Sequence, residues 1–186
     1  MLGLLTNAEN VGIYRVVVQS ALVVVFGMKV ADMAVQPYFA RLHSQGDYYR
    51  LQRLVTLSSY AILIIAFPVV LTFVFFGEPI LLFLYGEPYR AGTTALTILA
   101  LGQLVHASIG PAGVLLTMTG HERHMARAAA IVAVLNVAFN FILIPHFGMN
   151  GAASATAITL ATYKTILFFY IRQRLGINCT ALSKIK

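Results

Sequence analysis

Five apolar runs, each close to the length of a membrane crossing and separated by short polar breaks, leave this chain few folds to choose from. They fall near residues 11–38, 55–76, 93–117, 127–147 and 150–171. About 20 apolar residues cross the hydrocarbon layer as a helix, and a chain in that layer must satisfy its own backbone polar groups. The spacing therefore predicts an all-α membrane protein with about five transmembrane helices. Charged residues make up only 10% of the chain and the mean hydropathy is +0.82, against about 25% charged residues in a soluble domain, so a water-soluble core is not expected.

The 13 basic residues outnumber the 6 acidic ones, but they are dispersed into loops. They form no stripe beside stacking aromatics, as a nucleic-acid groove requires, and no nucleic-acid partner is expected. No basic n-region with a short apolar core and small-residue cleavage site opens the chain, so a cleavable signal peptide is not supported. The one cysteine, Cys179, reads as part of a polar cytoplasmic tail at 177–186, without an internal disulfide partner.

The basic residues also predict sidedness. Arg41, Arg50 and Arg53 follow the first run, Arg123 and Arg127 the third, and Arg172, Arg174, Lys184 and Lys186 the fifth. The second connection has Glu78, Glu87 and one Arg90, and His146 to Asn150 contains neither Lys nor Arg. By the positive-inside rule the odd loops are cytoplasmic and the even ones external, with the N-terminus outside and the C-terminus inside. A first helix entering from outside leads to the expectation that the chain is the C-terminal part of a longer polytopic protein, with Met1 an internal methionine. Gly110, Pro111 and Gly113 predict a kink in the third helix. The segment at 79–86, bracketed by Gly77-Glu78-Pro79 and Gly86-Glu87-Pro88, is too short to span and is expected as an interfacial amphipathic helix.

Polar residues inside the runs are the candidate site. At about 100° per residue, Arg15, Gln19, Lys29, Asp32 and Gln36 fall within an arc of roughly 140°, with Leu22, Val23, Phe26 and Val30 expected mostly elsewhere. A charge at that depth costs at least about 2.5 kcal/mol and normally faces a water-filled cavity or a partner. One reading is a cationic cavity wall for a phosphate-bearing substrate, Arg15 offering bidentate contacts and Lys29 a point charge. The other has Arg15 and Lys29 snorkelling to the two interfaces, with Asp32 neutralising Lys29 at i,i+3. Gln103 and His106 share a face at i,i+3, as do Asn136 and Asn140 at i,i+4; such pairs line a cavity or join helices by hydrogen bonds. Lys164 is expected to snorkel to the cytoplasmic interface, and the small residues from Gly151 to Ala155 to form a helix-packing face. His121, Glu122 and His124 lack a third or fourth ligand at zinc spacing, so no metal is expected. No cofactor motif, nucleophile and base pair or phosphate loop is found, and an enzyme is not expected.

Several motifs in order carry a resemblance: Val11-Gly12-Ile13-Tyr14, Gln36-Pro37 with Phe39-Ala40-Arg41-Leu42, Phe83-Leu84-Tyr85-Gly86-Glu87-Pro88-Tyr89, Leu116-Thr117-Met118-Thr119-Gly120-His121-Glu122, and Asn140-Phe141-Ile142-Leu143-Ile144-Pro145. The chain resembles the C-terminal half of the polysaccharide-exporting flippases related to the multidrug and toxic-compound extrusion transporters. The resemblance implies one incomplete lobe of a two-lobed carrier, moving undecaprenyl-diphosphate-linked oligosaccharide across the bacterial inner membrane. It implies as partners that lipid-linked oligosaccharide, the membrane lipids, and a separate N-terminal lobe or polysaccharide assembly proteins, with Arg15 and Lys29 toward the substrate. Two alternatives stay open: a fragment of a cation-coupled multidrug exporter, for which acidic cavity residues would be expected, and a non-transporting membrane scaffold or degenerate remnant.

Overall fold

The computed structural model describes residues 7–180 together with Gly3. Helix α1, Ala8–Ser44, and helix α2, Tyr48–Tyr85, are joined by a tight turn in which Gly46 takes a φ of 69°. Asp47 caps α2 by accepting from the Arg50 backbone N–H at 3.0 Å, which satisfies one of the free donors at a helix start. Pro37, Pro68 and Pro79 all lie within these helices. The stretch at 79–85, expected as a separate interfacial helix, is therefore the end of α2. Gly77 packs there so near the following helix that an added Cβ would lie 3.4 Å from Leu96. Glu78 pairs with Arg90 at 2.8 Å, and only the second of the two Gly-Glu-Pro segments turns the chain, at Gly86 with φ 90°.

A 3-10 turn, Glu87–Gly92, leads into α3, Thr93–Ser108, and the short α4, Ala112–Met118, follows. The segments Glu87–Ser108 and Ala112–Met118 are bent by 45°. Gly110 at φ 60° makes the bend possible and Pro111 supplies no N–H to continue the helix. A Cβ on Gly110 would overlap Ser59 of α2.

The last helix, α5, Glu122–Leu175, has 54 residues, far more than one crossing needs. It breaks at Gly148, where φ is 53° and ψ −127°, and its two legs fold back on each other: Asn136 Nδ2 donates to Thr159 Oγ1 at 3.0 Å across 23 residues. Among the described residues three helices are long and apolar enough to cross a membrane, four if the bent pair is one span. With α5 folded at Gly148, the described residues make five helical legs.

Successive turns of α1 supply the core. Ile13, Val17, Ala21, Val24 and Met28 pack on Ile62, Ala66, Val70 and Phe73 of α2 and on Leu96, Leu99 and Ala100 of α3. A second cluster joins Phe39, Leu51, Val55, Leu115, Leu116, Leu167 and Ile171 to Ile177 and Cys179. Gly151, Ala152, Ala153 and Ala155 are buried, as a close-packing face requires. Phe75, Phe83 and Val134 are instead 70% exposed or more, the inverse of a soluble surface and the expected face toward lipid.

The end of the chain corrects the tail expected at 177–186. Residues 181–186 lie outside the described residues, but Ile177 and Cys179 are buried. Gln52 Nε2 donates to the Asn178 carbonyl at 2.9 Å while Gln52 Oε1 accepts from the Asn178 N–H at 2.8 Å. This contact, with the His124–Tyr170 ring stack at 4.3 Å, gathers the first turn of α2, the start of α5 and the end of α5 at one end of the bundle.

Candidate functional site

Helix α1 buries the face opposite to most of its polar residues, and this divides the expected stripe. Arg15, Gln19 and Lys29 are exposed, whereas Asp32 and Gln36 are half-buried at the edge of the packed face. Leu22 and Phe26 are exposed as well, 51% and 72%, and share the face of Arg15 and Lys29. The stripe is therefore not continuous: Arg15 with Gln19, and Lys29 with Asp32 and Gln36, are two polar groups with an apolar stretch between them. Helical periodicity requires this, since Leu22 and Phe26 stand seven and eleven positions from Arg15, close to whole numbers of turns. The ion pairs among the described residues are Arg50–Asp47 and Arg90–Glu78, so the expected Lys29–Asp32 pair is not formed.

The inner polar group leads into a cavity. A space of about 290 Å³ is lined by Asp32 and Gln36 of α1, His106 of α3, Gly113 and Thr117 of α4, and Tyr163 and Lys164 of α5. Lys164, expected to snorkel, is 5% exposed, and its Nζ donates to the Gly110 carbonyl at 2.6 Å. The reason is the break between α3 and α4, which leaves carbonyls without helical donors and places the negative end of the α3 dipole beside the ammonium. Sequence reading missed Lys164 because depth along a helix says nothing about which way the side chain turns; the signal available was Gly110-Pro111, which frees an acceptor at the same depth. Asp32 Oδ1 and His106 Nδ1 are buried, with no hydrogen-bond partner among the described residues.

Gln103 is buried and with His106 lines a neighbouring space of about 310 Å³ beside Ala21, Leu22 and Thr156. Asn136 and Asn140 do different work. Asn140 Nδ2 donates to Asn136 Oδ1 at 2.9 Å and to its carbonyl at 2.8 Å, and Asn136 passes the chain on to Thr159. They join the two legs of α5. His124 stacks on Tyr170 while His121 meets that ring edge-on, and His121 Nδ1 lies 3.1 Å from Thr119 Oγ1.

An arrangement of donors and acceptors around a cavity, in a helix bundle coated with apolar side chains, can hold a polar solute. Comparison with known proteins agrees with that chemistry. The family model described as MatE matches residues 1–142. The chain is 26% identical over 182 residues, 96% of its length, to the "Probable low-salt glycan biosynthesis flippase Agl15" of Haloferax volcanii, and spans 38% of that protein's length. No solved structure matches the chain.

Proposed function

Because the chain belongs to the MatE family and is embedded in the membrane as a multi-pass helical lobe, we propose that it is the C-terminal portion of a flippase for lipid-linked oligosaccharide. The observation that supports this reading most is the likeness to a glycan biosynthesis flippase along almost the whole chain. The polar cavity between α1, α3, α4 and α5 is then this lobe's share of the pathway. Alternating access needs two bodies rocking about a central site, so a second lobe completes the carrier, and the exposed face of α1 with Arg15, Gln19 and Lys29 is the side that lobe and the substrate approach. The carrier of the resemblance is undecaprenyl diphosphate and the membrane the bacterial inner membrane, with the N-terminus outside. What the residues themselves address is a phosphate and sugar hydroxyls: Arg15 and Lys29 for the anion, Asp32, Gln36 and Gln103 for the glycan.

The test is replacement of both Arg15 and Lys29 by Gln in the protein in its own cell, with lipid-linked oligosaccharide counted on the outer leaflet. Loss of charge-assisted contacts of about 1.5–3 kcal/mol each predicts a fall in the flipping rate of about tenfold or more. Unchanged outward delivery would refute the cationic role. The multidrug-exporter reading is weaker, since the exposed intramembrane charges of α1 are Arg15 and Lys29 and a cationic drug would be repelled by them.

A further inference from the structure

Lys164 offers three N–H donors in a nearly closed site, and one of them is accounted for, by the Gly110 carbonyl at 2.6 Å. That carbonyl also accepts from the Ala112 N–H at 2.9 Å, so it sits at the hinge between α3 and α4, where the chain bends by 45°. Across the same cavity stands Asp32, whose Oδ1 is buried and without a hydrogen-bond partner among the described residues. An ammonium and a carboxylate that share a poorly solvated space attract strongly over several ångströms. A buried carboxylate oxygen left without a donor is costly. The cavity of about 290 Å³ leaves room for a four-carbon side chain to swing.

We propose that Lys164 is a positioning residue with two alternate partners, the Gly110 carbonyl in this conformation and the Asp32 carboxylate in another, and that the exchange sets the bend between α3 and α4. While Lys164 holds Gly110, the second leg of α5 is cross-linked to the hinge and α4 is held at its angle. When Lys164 moves to Asp32, the orphaned oxygen gains its donor and the hinge loses that tie, so α4 turns about Gly110 and Pro111. The fit of Gly110 against Ser59 keeps the pivot in place. Gln36, Thr117 and Tyr163 line other walls, and His106 lines the cavity as well, its Nδ1 buried and without a hydrogen-bond partner among the described residues. The consequence for transport rests on the flippase reading; the exchange of partners does not.

The experiment is amide hydrogen exchange of peptides covering 107–118 in the whole protein in lipid nanodiscs, for the wild type, Asp32→Asn, Lys164→Met and Lys164→Arg. Asp32→Asn removes the charge of the second partner and should slow exchange at the hinge several-fold, because Lys164 then stays on Gly110. Lys164→Met should speed it about tenfold, and Lys164→Arg should restore protection. If Asp32→Asn leaves exchange unchanged or speeds it, Asp32 serves only as a counter-charge and the proposal falls, whether or not Lys164→Met folds. Flipping measured on the same samples separates the two ideas. Slowed hinge exchange in Asp32→Asn alongside a wild type that flips no oligosaccharide would uphold the exchange of partners and reject the flippase; flipping by the wild type with an indifferent hinge would do the reverse.

Discussion

The backbone of Cys179 is fastened to α2 by Ser59 Oγ, which donates to its carbonyl at 3.1 Å, and this puts the thiol inside the second core cluster. Burial pushes the thiol up to about 12, with the nearby Lys164 ammonium pulling weakly the other way. The thiolate is the reactive form, so at pH 8 the folded protein should resist maleimide while the denatured chain reacts at once. The sign for stability follows from linkage. The folded thiol keeps its proton and the unfolded one begins to lose it near pH 9, so stability is full below that pH and declines as pH rises from about 9 toward 12. Gln52→Ala removes both hydrogen bonds to Asn178, each worth about 0.5–1.5 kcal/mol. It should raise the labelling rate of Cys179 about tenfold or more without unfolding the bundle, as followed by mass spectrometry. None of this was legible locally, because Asn178 and Thr180 are polar and the partners of 178 and 179 lie 126 and 120 positions away.

Between elements, Gly110 bends a crossing and Gly148 ends one. At Gly148 a φ of 53° with ψ −127° is open to glycine and strained for any L residue. Gly148→Ala should therefore lower stability by about 1–3 kcal/mol. The loss should be read as opening of the hairpin between the legs of α5, with the Asn136–Thr159 contact broken; distances between labels at 133 and 162 would check it. Gly148→Asn should cost less, since Asn tolerates positive φ better than Ala. The apolar runs made the legs of the fold legible because hydrocarbon thickness fixes their length. They did not distinguish a proline that breaks a helix from one that a helix absorbs. Pro79 follows a glycine packed against α3 and a glutamate tied to Arg90, so its surroundings hold the helix through it, whereas Pro88 follows Gly86, whose φ of 90° already turns the chain.

For the whole molecule the telling feature is how charge is sorted between the ends. Arg41, Arg50, Arg53, Arg123, Arg127, Arg172 and Arg174 are all exposed, and the contacts of Gln52 with Asn178 and of His124 with Tyr170 bring their segments to one end. Glu78, Glu87 and Arg90 mark the other. Sorting of that kind was legible in the sequence, because loop composition alternates with each crossing. The site was legible only in part. Periodicity located Asp32 and Gln36, but joining them to His106 and Lys164 took the bend at Gly110 and the reversal at Gly148, which bring α3 and the second leg of α5 against α1. Which end faces the cytoplasm is a question of absolute orientation. An impermeant thiol reagent answers it in intact cells carrying Cys179→Ser with either Gln45→Cys or Glu87→Cys, both exposed positions. An arginine-rich end held inside predicts that position 87 reacts from outside and position 45 only after the membrane is opened. The opposite pattern would invert the protein and leave its fold intact. Reaction of both positions from one side would contradict the fold itself, because 45 and 87 sit at opposite ends of α2, whose 38 residues at about 1.5 Å each are more than long enough to cross the hydrocarbon layer.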